Sequence, residues 1–122
     1  MKQEESGLMP YYLYLVAEKR KKERERAEKL REKLLSDIDE ALSELLQLVP
    51  FQDAYIFGSI TTPHGFSPDS DVDIAFYGLK DEDFFKTIAF LSRRLARDVD
   101  VIQLEGHRLE EKIIRTGIKW KR

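Results

Sequence analysis

The hydrophobic spacing of this 122-residue chain changes at Pro50, and that change limits the fold more than any other feature of the sequence. Before it, Leu34, Leu35, Ile38, Ala41, Leu42, Leu45 and Leu48 recur three and four apart, the period of one helix face. After it, residues 54–57 (AYIF), 72–77 (VDIAFY) and 99–104 (VDVIQL) are short and rich in β-branched and aromatic side chains, as strands are. Between the last two, Phe84, Phe85, Ile88, Leu91 and Leu95 return to a helical face over residues 81–95, with Asp81 placed to cap it. A closing helix over 108–116 stops at Gly117 and starts near His107. The expected fold is therefore α+β: a small mixed β-sheet with helices packed against it, preceded by a long N-terminal helical segment. The length suits a single domain overall, with residues 1–49 as a helical segment packed on the core and residues 50–122 as the core itself.

The helical pattern extends back to about residue 10, bent or interrupted along the way. Within it, residues 18–33 carry nine basic and five acidic side chains, with only Ala27 and Leu30 apolar. Glu18 with Lys22 and Glu25 with Lys29 are spaced to support an exposed helix. The stretch reads as a solvated face rather than a nucleic-acid surface, because its charge is mixed in sign. Tyr11, Tyr12 and Tyr14 read as a packing or dimer patch, which leaves a homo-oligomer open. The apolar run at residues 8–17 is too short to span a bilayer, and residues 2–5 lack the basic character of a signal peptide, so the expectation is a cytoplasmic protein with no membrane partner. A charged fraction of 36%, with no Asn in the chain, points to a thermophile source.

With no cysteine, a metal site would have to be built from carboxylates and two histidines, which favours hard ions over zinc. Asp71 and Asp73 project from one face of the second strand, about 7 Å apart at the backbone. Two like charges held together are costly unless a cation lies between them, and oxygen ligands suit Mg²⁺ or Mn²⁺. The same residues also suit an acidic solvated turn, since Pro68-Asp69-Ser70-Asp71 is good turn chemistry. Asp100, flanked by Val99 and Val101, needs either a partner or an exposed face, and joins the pair if its strand lies beside theirs. Gly58-Ser59, at the end of the first strand, is either an ordinary turn or a place where backbone and hydroxyl meet phosphate oxygens. A calcium loop over Asp69, Asp71 and Asp73 is excluded, because Ile74 and Lys80 stand where its Gly and Glu are required. His64 reads as a solvated loop residue.

Together, Gly58-Ser59, Asp71-Val72-Asp73 and Asp100 on a later strand resemble the signature of the DNA polymerase β-type nucleotidyltransferase superfamily. The segment LEEKIIRTG is similar to the closing helix of its minimal nucleotidyltransferase branch, small proteins often encoded beside a HEPN-domain partner. The resemblance implies metal ligation by Asp71, Asp73 and Asp100, with Asp100 also near the acceptor hydroxyl, and triphosphate contact by Gly58 and Ser59. It implies Mg²⁺ or Mn²⁺ as cofactor, ATP as substrate, and transfer of AMP to a hydroxyl on a HEPN-type toxin. Relatives that modify RNA or small molecules usually carry a further substrate domain, for which few residues remain here. An Arg often follows the Ser in that branch, whereas Ile60 stands here, and the loop is one residue longer than is common. Lys86, Arg93 or Arg94 are the candidates to supply the missing charge. The alternative is a non-catalytic, antitoxin-like interaction protein of the same fold.

Overall fold

A computed structural model describes residues 8–122; residues 2–5, on which the signal-peptide argument rests, lie outside the described part. Helix α1 (Leu8–Leu48) runs unbroken for 41 residues. Nothing interrupts it, because residues 11–48 hold no Pro or Gly and are dense in Glu, Lys, Arg, Leu and Ala. Neither Glu18–Lys22 nor Glu25–Lys29 closes into an ion pair; Glu28–Arg31 and Lys33–Asp37 do, at 3.0 and 2.8 Å. No helix among the described residues is long and apolar enough to cross a membrane.

Four strands form one sheet in the order β3-β2-β1-β4. Strands β1 (Asp53–Phe57) and β2 (Val72–Tyr77) are antiparallel, β3 (Val99–Gln103) lies parallel to β2, and β4 (Ile118–Lys119) lies antiparallel to β1. The parallel pair requires a crossover, which helix α2 (Phe84–Leu95) supplies. Alternation along the strands divides the sheet into two faces. Ala54, Ile56, Val72, Ile74, Phe76, Val99 and Val101 face α1 and α2, where Leu34, Ile38, Ala41, Leu42, Leu45 and Leu91 complete the main core. Tyr55, Ala75 and Leu104 face helix α3 (Glu110–Thr116), packing on Ile113 in a second, smaller cluster.

The boundaries depart from the sequence reading at three places. Residues Asp81–Asp83 form a 3-10 turn ahead of α2, so Asp81 does not cap the helix; its carboxylate accepts a hydrogen bond from Gln103 Nε2 at 2.7 Å. Helix α3 begins at Glu110, leaving His107 in the preceding loop, where its Nδ1 accepts the Leu109 N–H at 3.1 Å. Strand β4 carries no periodic signal because it is two residues long. It forms because Trp120 reaches Asp39 on α1, its Nε1 donating to the carboxylate at 2.8 Å, while its N–H donates to Ala54 O.

Ile38 is fully buried where α1 meets the sheet. Ile38→Ala is expected to cost about 2–5 kcal/mol in denaturant unfolding; a loss below about 1 kcal/mol would show that the helix does not share the sheet's core.

Candidate active site

The register of β2 and β3 places Asp73 directly opposite Asp100. In-register residues on adjacent strands point to the same face, so two carboxylates stand side by side. They lie at the open end of the face that α3 covers further along. Phe57 pairs with Asp73 across β1, and the chain then turns at Gly58, whose φ is 85°. A Cβ at Gly58 would lie 2.2 Å from Asp73 Oδ2. The glycine is thus required by close approach to a carboxylate as well as by its backbone angle. Burial pushes the Asp73 carboxyl up to about 6, helped by the charge and hydrogen bonding of Asp100 and by the charge of Asp71.

Asp71 precedes β2 and is exposed; it acts on Asp73 through its charge. Ser59 is exposed at the start of the 3-10 turn Ser59–Thr61, in which Thr61 Oγ1 donates to Gly58 O at 2.8 Å. Ile60 is fully buried, as is Phe66 to within a few per cent, so the loop between β1 and β2 is pinned into the main core at two points. Neither residue shows this in the sequence, because loop burial follows no period.

A cleft of about 510 Å³ opens beside the carboxylate pair, with Asp73, Asp100, Phe57, Ile88, His107 and Arg108 among its walls. The structure gives the charge near the site to Arg108, a residue the sequence reading passed over. Of the earlier candidates, Arg94 is held by Glu44 at 2.9 Å and by Glu40 at 3.5 Å, while Lys86 and Arg93 are exposed on α2; none of the three lines the cleft. His64 is exposed and stands beside α1, its N–H donating to Glu28 at 2.8 Å.

Among the described residues, no three His, Asp or Glu side chains cluster closely enough to cage an ion unaided. Mg²⁺ does not need such a cage, because it is commonly held by one or two carboxylates together with substrate phosphates. The paired oxygens of Asp73 and Asp100, one of them with its pKa raised by burial and by the neighbouring charge, fit such an ion.

A glycine turn against a carboxylate pair on one sheet face is a site suited to phosphoryl chemistry, and the comparisons with known proteins agree. The family model "Polymerase beta, Nucleotidyltransferase" matches residues 40–119, more than half of the chain. The chain belongs to the polymerase β nucleotidyltransferase family. Three solved structures share its fold. One, of a minimal nucleotidyltransferase by assignment, is 26% identical with a TM-score of 0.58, covering 70% of this chain and 92% of that one. A toxin-antitoxin with AMP-PNP is 23% identical at a TM-score of 0.57, covering 68% and 72%. A mutant of the toxin-antitoxin MntA-HpeT is 22% identical at 0.56, covering 68% and 71%. Among curated proteins none matches.

Two outcomes test this geometry. Because the folded-state pKa of Asp73 lies above that of a free aspartate, the unfolded chain releases its proton first as pH rises. Stability therefore falls between about pH 4 and 6, and the cost is complete above that range. Asp73→Asn should stabilise the fold at pH 8 by about 1 kcal/mol, a figure reduced for solvent screening at this half-buried position, and should leave it unchanged at pH 3.5. Melting curves at the two pH values decide, and an equal shift at both contradicts a raised Asp73 pKa. Gly58→Ala should cost about 1–3 kcal/mol through the left-handed backbone angle and the displaced carboxylate; a variant as stable as the wild type would remove the close approach from the description.

Proposed function

We propose that the protein transfers a nucleoside monophosphate, AMP from ATP, to a hydroxyl on a partner toxin protein of the HEPN type, in the cytoplasm, with Mg²⁺ or Mn²⁺. The observation that carries this reading is the in-register pairing of Asp73 with Asp100 beneath Gly58. Family membership supports the nucleotidyl transfer, and the toxin-antitoxin proteins of similar fold, one with AMP-PNP, support the nucleotide and the partner.

In this reading Asp73 and Asp100, with Asp71 adding its charge, hold the divalent cation. When bound there, the cation supplies charge neutralisation for the triphosphate and polarisation of its phosphoryl oxygens. Gly58 and Ser59 hold the triphosphate above Asp73, so that the α-phosphorus faces the cleft. Asp100, at the cleft wall, accepts the proton of the acceptor hydroxyl as its oxygen bonds to the α-phosphorus. The bond from the α-phosphorus to the bridging oxygen breaks, and pyrophosphate leaves with that electron pair. Positioning and charge placement supply the catalysis, because phosphoryl transfer asks little covalent chemistry of the protein.

A second reading, an antitoxin-like protein of the same fold that acts by binding alone, draws on Ile60. Its side chain is in the core where a phosphate-binding Arg is common in the branch it resembles.

Calorimetric titration with ATP and Mg²⁺ separates the two. Wild-type protein should bind, and the double variant Asp71→Ala with Asp73→Ala should lose at least tenfold in affinity, since two of the three charges at the site are gone. Absence of wild-type binding at millimolar ATP would favour the interaction-only reading.

A further inference from the structure

Arg31 is the buried charged residue of α1, about 9% exposed, and it reaches away from its own helix. Its Nη1 donates to the carbonyl of Ile60 at 2.8 Å, a buried hydrogen bond between residues 29 apart in sequence. Its Nε and Nη2 donate to Glu28, one helical turn earlier, at 3.0–3.2 Å. Glu28 in turn accepts the N–H of His64 at 2.8 Å. One guanidinium and one carboxylate thus hold both ends of the segment from Ile60 to His64, directly after Gly58-Ser59. The segment needs holding: His64 sits at φ 64°, a left-handed angle that non-glycine residues adopt at a cost. Beyond it, Arg97 stacks on Phe66 at 5.4 Å and donates to Ser70 O at 2.8 Å, fixing the other end of the loop.

We infer that Arg31 is a positioning residue of the nucleotide site: with Glu28 it braces the Ile60 carbonyl and so sets where Gly58 and Ser59 stand over Asp73. The inference rests on the transferase reading above and deepens it. Both brace residues lie before residue 40, on the part of α1 that precedes the segment matched by the family model. Arg suits the task because its planar fork serves the carboxylate and the carbonyl at once, which a lysine ammonium on a flexible stem does not. The brace also accounts for Ile60. Its side chain points into the core and its carbonyl points to α1, so this position anchors the loop.

The test compares the wild-type chain with Arg31→Met, Arg31→Lys and the control Arg94→Met, which breaks an exposed contact between α1 and α2. Three quantities are measured: melting temperature, amide hydrogen exchange at Thr61 and Thr62, and affinity for ATP with Mg²⁺. Arg31→Met should speed exchange at those two amides and weaken ATP binding by about tenfold, while Arg31→Lys recovers part of both. Arg94→Met should change neither. The inference fails if exchange at Thr61 and Thr62 is unchanged in Arg31→Met. It also fails if exchange rises with ATP affinity intact, or if Arg94→Met lowers that affinity equally. Should Arg31→Met not fold, Arg31→Lys carries the same comparison, with an intermediate loss expected and wild-type behaviour overturning the inference. If the wild type itself binds no ATP, the transferase reading falls on its own, and the exchange rates still decide whether Arg31 holds the loop.

Discussion

Two aspartates side by side on neighbouring strands repel each other, and much of this fold serves to keep them there. The parallel register of β2 and β3 sets Asp73 against Asp100, and the register is held from the opposite face by Val72, Ile74, Val99 and Val101. A slip of β3 by one residue would turn Val99 and Val101 out of the core and bury Asp100 in their place. Apolar burial on one face is therefore what makes charge crowding possible on the other. The repulsion is tolerable because Asp73 is only half-buried and Asp100 is exposed, and because Gly58 leaves the space that a Cβ would occupy. The pKa of Asp73 is raised first by its burial and then by this repulsion.

Much of this was legible in the sequence wherever a period carried the information. The strands and α2 follow from alternation and from three- and four-residue spacing, and β2 occupies the same residues, 72–77, that its pattern indicated. The carboxylates of Asp71, Asp73 and Asp100 could be singled out in the sequence, but whether they meet depends on which strands are neighbours, and chain order does not fix that. The structure separates the three: Asp73 and Asp100 pair, while Asp71 stands at the exposed entrance to the strand. Gly58 was legible as a close-approach glycine, although what comes close in the structure is the carboxylate of Asp73. What the sequence did not show were contacts without a period: Ile60 and Phe66 buried from a loop, Arg31 buried within a charged helix, and a two-residue strand secured by Trp120.

Helix α1 shows why a local reading of charge falls short. Its segment 18–33 has the composition of a solvated face, and most of it is solvated. Arg31 and Glu28 belong to that segment by composition, yet they sit where the helix passes the loop between β1 and β2. A buried guanidinium is stable only with its donors satisfied, and here a carboxylate on the same helix and a carbonyl on the loop satisfy them. One helix thus contributes apolar packing through its second half and polar bracing through its middle.

The residue after Ser59 shows how a departure from a common pattern can be compensated by geometry. An arginine there would bring charge to the phosphates directly. With Ile60, the same position is used for anchorage, its side chain in the core and its carbonyl held by Arg31. The guanidinium of Arg31 is then committed to the loop's inner side and to Glu28. In the proposed reading the positive charge for the phosphates comes from another wall of the cleft, where Arg108 stands with His107 beside Asp73 and Asp100. Both belong to the loop between β3 and α3, whose backbone is tied to β2 and α3: Leu104 N–H donates to Phe76 O, and Gly106 N–H to Glu110. Arg108 thus enters the cleft on a loop whose position depends on β2, the strand that carries Asp73.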